Sequence, residues 1–320
     1  MRQAILGATG AVGKALAVEF ARAGTPFRVV GRSEEKLRRD FSRYGELVEY
    51  RAADLDDPRA AAAATNDIDL VFYTVGVPYT NFALHPKLMR IALETAARSG
   101  VKRFVHVGTV YPYGIPRTEF VDESHPRDPH TFKGRMRKEQ EDLVFAADGQ
   151  NGLRTAILRP PDFFGPESEL SYAADIFKAA LEGRAANVIG PIDTPHEFVF
   201  VPDVAKTLIA LAANEEAYGK AWNLAGPGLT TVRQFAEMVF TAAGQKARLR
   251  TANKFILNLL GIFNPMMREI AEMNYLWTTP VKLDDSHLRK LLPNLHKTSY
   301  EEGIRITLQE MRAAKRPAVS

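Results

Sequence analysis

GATGAVG at residues 7–13 follows the apolar run Ala4, Ile5, Leu6, and its three glycines, Gly7, Gly10 and Gly13, decide how the rest of the chain is read. A strand that turns sharply into a helix asks for glycine at the turn, glycine where backbone approaches a ligand, and glycine where helix and strand pack too closely for a side chain. A helix opening near Gly10 aims unpaired N–H groups and the positive end of its dipole over that turn, so a pyrophosphate can be held without a lysine. Such a motif alone is common. Its place between a strand-like run and the amphipathic stretch 12–23 gives it weight and points to a dinucleotide.

Outward from this junction, apolar runs at 27–30, 47–51, 70–75, 104–107 and 155–158 alternate with helical segments, among them 84–99, which stops at Gly100, and 132–147, which stops around Gly149. That alternation predicts an α/β fold, a Rossmann-type doubly wound parallel sheet with helices on both faces. The charged 132–147 helix is expected along the sheet edge. Beyond Arg159 the rhythm breaks at PPDFFGP and GPIDTP, with helices expected over 172–182 and 202–214 and a strand at 196–201. The expected organisation is a dinucleotide-binding domain over 1–160 plus about 196–215, and a smaller, interleaved C-terminal substrate lobe over 161–195 and 216–320, with a frayed tail at 315–320.

At 320 residues the chain can bury a full core. It has no cysteine, which excludes disulfides, thiolate zinc sites and cysteine nucleophiles and fits a cytoplasmic protein. No secretory signal is expected, and the greasy segment 255–263, interrupted by Asn258 and Gly261, is too short to span a bilayer, so no membrane partner is expected. The net charge of +4 is mild and the bases are interspersed with acids, which argues against nucleic acid as a partner. The seven histidines are scattered, and no metal site is expected.

Several separated segments together resemble the extended branch of the short-chain dehydrogenase/reductase superfamily, the NAD(P)-dependent epimerase/dehydratase group. They are GATGAVG, Ala53-Asp54-Leu55, GVKRFVHVGTVYPYG at 100–114, LRPPDFFGP at 158–166, FVFVPDVA at 198–205 and WNLAGPG at 222–228. The resemblance implies that Gly7, Thr9, Gly10, Ala11, Val12 and Gly13 cradle the pyrophosphate and that Asp54, with Leu55 beside it, meets the adenine amino group. It likewise implies that Thr74, Val75 and Gly76 lie against the adenosine ribose and phosphate, and that Pro160, Asp162 and Phe163 embrace the nicotinamide. Where an NAD-preferring site usually carries an acid, this chain has Arg32, Ser33 and Lys36. A guanidinium fork, a hydroxyl and a further positive charge suit a 2′-phosphate, so NADP(H) is favoured, with NAD(H) as the alternative.

In this family a serine or threonine after the fifth strand, a tyrosine, and a lysine four residues beyond it carry the chemistry. The resemblance puts Thr109 in the first place, orienting a substrate oxygen. With Gly134 and Glu141 holding the register of FKGRMRKEQE (132–141), Lys133 stands where the tyrosine should be and Arg137 where the lysine should be. The usual phenol is missing. Arg137 can anchor a ribose but cannot give up a proton; Lys133 is expected to move it instead, its neutral amine favoured by Arg137 one helical turn away. The open alternative is that both simply face water on a charged helix. Tyr111 and Tyr113 are expected to line the pocket, and His85 stands where relatives often place an asparagine.

Two departures bear on the substrate. Nucleotide-sugar members commonly carry an arginine before the strand equivalent to 198–201; His196 and Glu197 stand there instead, which disfavours a nucleotide diphosphate and makes His196 a candidate substrate contact. The segment 255–277, rich in Phe, Leu, Ile, Met and Trp, is expected either to roof a pocket for an apolar or aromatic carbonyl compound or to serve as core or a contact within a homodimer. Hydride transfer at a carbonyl or alcohol carbon of a small organic molecule is the expected activity, with internal epimerisation or dehydration as a close variant. The alternatives are a dinucleotide-binding sensor or structural protein that has lost catalysis, and an RNA-binding relative prompted by the basic segment 133–138.

Overall fold

The apolar runs become β1 (Gln3–Leu6), β2 (Phe27–Gly31), β3 (Val48–Ala52), β4 (Leu70–Tyr73), β5 (Arg103–Val107) and β6 (Arg154–Arg159), alternating with α1 (Ala11–Arg22), α2 (Glu34–Phe41), α3 (Pro58–Thr65), α4 (Leu84–Arg98) and α5 (Phe132–Ala147). The computed structural model describes residues 1–314. These strands pair in parallel in the order β3-β2-β1-β4-β5-β6, so the winding reverses at β1. Side chains alternate across each strand: Ile5, Phe72 and Val105 turn into a cluster with α1 and α2, whereas Ala4, Leu6, Val71, Tyr73 and Phe104 turn towards α3, α4 and α5. Cover on both faces is why these strands read as unbroken apolar runs. β4 stops at Tyr73, short of the expected 75, which frees Thr74, Val75 and Gly76 for the loop above it. α5 does not run along the sheet edge; it packs across β6 beside α4.

The edge is taken by a later strand. After β6 the chain makes β7 (Asp162–Phe164), α6 (Ala174–Glu182), β8 (Ala186–Ile189), β9 (Pro195–His196) and β10 (Phe198–Phe200), then crosses back through α7 (Val201–Ala213), which packs on α1, to β11 (Lys220–Asn223). β11 pairs in parallel with β6 and completes a seven-stranded sheet. Residues 220–223, expected in the substrate lobe, therefore belong to the main sheet: the open hydrogen-bonding edge of β6 requires a partner that the short sequence KAWN does not advertise.

Beyond β11 come β12 (Thr230–Thr231), α8 (Val232–Ala242), β13 (Leu249–Ala252), α9 (Lys254–Gly261), α10 (Pro265–Glu272), α11 (Tyr275–Thr278), α12 (Ser286–Leu291) and α13 (Tyr300–Ala314). The strand expected over 196–201 is split between β9 and β10, because each serves a different partner: β10 joins β7 and β9 joins β12. A separate apolar cluster around Phe164, Phe198, Phe235 and Trp277 forms the core of this second lobe. The tail 315–320, expected to fray, lies outside the described residues. Among the described residues no helix is long and apolar enough to cross a membrane.

One polar contact holds α5 to the end of β6. Arg159 and Glu141, 2% and 1% exposed, form a two-point pair, Nε to Oε1 at 2.9 Å and Nη2 to Oε2 at 2.7 Å. Arg159 Nη1 also donates to the Tyr113 hydroxyl at 2.8 Å, which in turn donates to Asn223 Oδ1 at 2.7 Å. Replacing Arg159 leaves the buried Glu141 carboxylate with only Arg127 Nη1, 3.3 Å from Oε2, to offset its charge, at a cost of up to about 3–5 kcal/mol. Arg159→Met is accordingly expected to lose that much in urea unfolding, and Glu141→Leu/Arg159→Met to lose clearly less; equal losses would mean that packing rather than charge carries the site.

Candidate active site

The glycine turn is forced by its neighbours. Gly7 has φ +84°, and a Cβ there would stand 2.8 Å from Val75 backbone; a Cβ on Gly13 would stand 2.5 Å from the Ala8 carbonyl oxygen. Gly7 and Ala8 both donate to Val30 O at 3.1 Å, while Thr74 Oγ1 donates to Leu6 O at 3.0 Å, so the ends of β1, β2 and β4 hold the turn from both sides. A Cβ on Gly10, which is in extended backbone, would meet nothing closer than Gly7 O at 3.5 Å, and α1 begins with no side-chain cap. Its first-turn N–H groups are therefore presented outward, with Thr9 and Ala11 half-buried beside them and Val12 anchored in the core. A bare-backbone cradle ending in an uncapped helix fits a dinucleotide pyrophosphate.

At the end of β2, Arg32 and Lys36 are exposed and neither has a carboxylate partner among the described residues. Ser33 is partly committed: its Oγ caps α2, accepting from Lys36 N at 3.2 Å. Asp54 is exposed and accepts from Asp56 N at 3.1 Å, whereas the Leu55 side chain is buried in the core, so only its backbone faces the groove.

Beyond the ends of β5 and β6 lies a cleft whose wall includes Thr109, Tyr111, Asp162, His196, Glu197 and Leu276. The pairing of β7 with β10 brings Asp162 to the same end as β9, and His196 Nε2 lies 2.9 Å from Asp162 Oδ2. The imidazole is wedged between Phe198 and Trp277, ring centroids 4.7 and 6.4 Å away, and its Nδ1 has no partner among the described residues. The Tyr111 and Tyr79 hydroxyls share a 2.6 Å hydrogen bond. Burial pushes both phenols up, Tyr79 to about 12, so each keeps its proton at neutral pH. Glu197 accepts from Leu283 N at 3.1 Å and Gly226 N at 3.3 Å; burial outweighs these hydrogen bonds and pushes its carboxyl up to about 7.

Other expected site residues are not on this wall. Lys133 is fully buried, with its ammonium gripped by Glu269 and by Glu272 Oε2 at 2.5 Å, and the rings of Tyr79 and Phe82 centred 5.6 and 5.9 Å away. The charge set against it is negative, not the positive push expected from Arg137, because an amine wholly removed from water needs carboxylates to offset its lost hydration. Arg137, also buried, donates to Val107 O at 3.2 Å and lies 3.1 Å from His85 Nδ1. Burial, then the Arg137 charge, pushes the His85 imidazole down to about 2, so it stays neutral and accepts from the guanidinium. With Lys133 and Arg137 both internal, the basic segment 133–138 presents no continuous face to RNA, nor is it a solvated charge run. Tyr113 does not line the cleft; it is fully buried in the Arg159 network.

The segment 255–277 divides. Met273, Tyr275, Leu276 and Trp277 are buried in the second lobe, with Leu276 on the cleft wall, but most of α9 is exposed. Three acids escaped sequence reasoning. Glu269 and Glu272, three residues apart within a greasy run, were the only hint of an ion-pair partner for a buried lysine, and Glu197 was visible only as a missing arginine.

Residues 4–225 match the model of the NAD dependent epimerase/dehydratase family. The chain is 28% identical over 246 residues to the (4-alkanoyl-5-oxo-2,5-dihydrofuran-3-yl)methyl phosphate reductase of Streptomyces griseus, covering 76% of this chain and 74% of that one. It is 26% identical over 189 residues to 3beta-hydroxysteroid-dehydrogenase/decarboxylase isoform 1 of Arabidopsis thaliana, covering 54% and 43%. The chain spans 33% to 62% of the length of the first three curated relatives it matches. The UDP-glucuronic acid 4-epimerase of Bacillus cereus, solved with NAD, shares the fold at a TM-score of 0.81 and 16% identity, covering 100% of this chain and 99% of that one. With its glycine turn, its reversal at β1 and the match over residues 4–225, the chain belongs to the NAD-dependent epimerase/dehydratase family, an enzyme family of oxidoreductase type.

Proposed function

We propose that this protein reduces, or in reverse oxidises, a carbonyl or alcohol carbon on a small molecule with an apolar body, using NADP(H) in preference to NAD(H). The observation that carries the reading is the convergence of Thr109, Tyr111, Asp162 and His196 on one cleft beyond the carboxyl ends of β5 and β6, where ligands bind in open α/β sheets. When bound, the nicotinamide supplies or accepts the hydride. Thr109 holds the substrate oxygen in line, using its hydroxyl as donor or acceptor. His196, oriented by Asp162, delivers the proton that turns a carbonyl oxygen into an alcohol, and the carboxylate offsets the charge of its imidazolium. Lys133 is left a positioning role, tying α10 to α5. Arg32 and Lys36 support the preference for the 2′-phosphate. Support for an apolar substrate comes from Leu276 and Val281 on the cleft wall, from the absence of a diphosphate-gripping arginine at 196–197, and from the steroid in the name of the Arabidopsis relative. A chain without cysteine suits a reducing, cytoplasmic setting.

Fluorescence titration with NADPH and NADH tests the coenzyme reading. NADPH is expected to bind at least roughly tenfold more tightly, and Arg32→Asp/Lys36→Ala to reverse that order, since removing a charge-assisted hydrogen bond to the 2′-phosphate costs on the order of 1.5–3 kcal/mol. Binding of neither coenzyme overturns the proposal.

Reduction of a panel of hydrophobic ketones tests the chemistry. His196→Gln is expected to lower kcat by about 10²-fold or more with coenzyme affinity intact, whereas Lys133→Met raises KM more than it lowers kcat. An equally deep kcat loss in Lys133→Met would return the proton to Lys133, and tight coenzyme binding with no turnover by the wild type would leave a binding protein.

Glu197 gives a separate signature. Its folded value of about 7 lies above the usual 4.5, so the folded state holds this proton longer than the unfolded one. Its contribution to stability is therefore fully present below that usual value and is lost as pH rises towards the folded one. Glu197→Gln removes this slope: between about pH 5 and about pH 8 its thermal midpoint is expected to gain on that of the wild type. A constant gap would show that Glu197 does not titrate in this range.

A further inference from the structure

The α9–α10 hairpin carries an apolar surface that nothing in the fold covers. Phe255, Ile262 and Phe263 are 75%, 72% and 85% exposed, and Ile256, Leu259, Leu260 and Met266 are exposed beside them; of the α9 side chains only Leu257 is buried. A patch of this size is rare on a protein surface that stays in water.

Its charge identifies the occupant. From residue 238 to residue 268 the chain contains five cations, Lys246, Arg248, Arg250, Lys254 and Arg268, and no acid. All five are exposed. Arg268 touches Glu269 at 3.9 Å, and the other four have no carboxylate partner among the described residues. In a chain whose bases and acids are otherwise closely balanced, this acid-free stretch is a local excess that flanks the greasy tip in sequence. A second copy of the chain is a poor match, because a two-fold contact through this patch would bring two such cation sets together. An anionic bilayer surface satisfies both features at once: the acyl region takes the Phe, Ile and Leu side chains, and the headgroups take the lysines and arginines. The hairpin is too short to span, so it lies in the interface.

We infer that α9 and the turn to α10 dock this protein peripherally on anionic lipid membranes. The consequence reaches the cleft. α10 supplies Glu269 and Glu272, which grip Lys133, and the following α11 supplies Leu276 to the cleft wall, so the docked element is continuous with the rim of the site. Resting on the oxidoreductase reading, this names the substrate class as an amphiphilic carbonyl or alcohol compound that partitions into the bilayer. Docking itself does not depend on that reading.

Co-sedimentation of the full chain with vesicles of phosphatidylcholine alone, and of phosphatidylcholine with about 30 mol% phosphatidylserine, tests the inference. Binding is expected to the anionic vesicles and to fall with added salt. Phe255→Ser/Phe263→Ser is expected to weaken it by at least tenfold, and Arg250→Gln/Lys254→Gln by roughly fivefold for each cation neutralised, with unchanged thermal midpoints and unchanged NADPH titrations. No binding to anionic vesicles, or binding unaffected by either variant, overturns the proposal. So does a dimer in sedimentation velocity that the Phe255→Ser/Phe263→Ser variant dissolves while vesicle binding persists. Vesicle binding by a protein that takes up neither coenzyme would refute the proposed function and leave the docking surface standing.

Discussion

Everything in the first lobe depends on a steric constraint at the top of β1, where there is no room for a Cβ on Gly7 or Gly13. The ends of β2 and β4 approach this turn so closely that its carbonyl and amide groups are claimed by Val30 and Thr74, and what remains of the backbone polarity points outward. The same turn sits where the strand order reverses, so the crevice between the diverging connections opens directly above it. Fold and ligand site are in this sense one feature: the close packing that makes the sheet possible also strips the turn of the side chains that would otherwise fill the crevice.

Lys133, which the resemblance puts at the family's tyrosine position, sets the character of that corner of the molecule. A phenol there would need only a nearby positive charge, whereas a buried ammonium needs negative charge, and the chain provides it from α10, far away in sequence. The partner of the substitution is thus not Arg137 on the same helix but a pair of acids on the second lobe. Arg137 satisfies Val107 O, and burial together with the Arg137 charge keeps His85 neutral. What β7 and β9 bring together at the cleft is an acid and an imidazole whose sequence positions are 34 residues apart.

Legibility followed the range of the interactions. The sheet, the helices on its faces and the glycine turn rest on local periodicity and backbone sterics, and these are readable within windows of about a dozen residues. β11 is not, because a four-residue edge strand is specified by the vacant side of β6 rather than by its own pattern. The family positions of Tyr113 and Lys133 point to the cleft; their environments are set instead by Arg159, Asn223, Glu269 and Glu272, all distant in sequence. A greasy segment such as 255–277 carries no local mark that distinguishes core from surface, and only the packing separates buried Trp277 from exposed Phe263.

The two lobes have separate apolar cores, and near the cleft directional polar contacts hold the elements of both in place. Lys133 reaches α10, Tyr113 meets Asn223, Glu197 draws the backbone of Gly226 and Leu283 onto the β9–β10 corner, and Asp162 fixes His196. Apolar packing alone would tolerate small slides between layers, since its energy depends on area more than on angle. A buried ion pair or an N–H to carboxylate bond loses most of its value with a displacement of an ångström, and in a low-dielectric junction that penalty is steep. Such contacts add little net stability when complete. Their effect is to fix the relative position of Thr109, at the end of the sheet, and His196, in the second lobe, on the wall of one cleft.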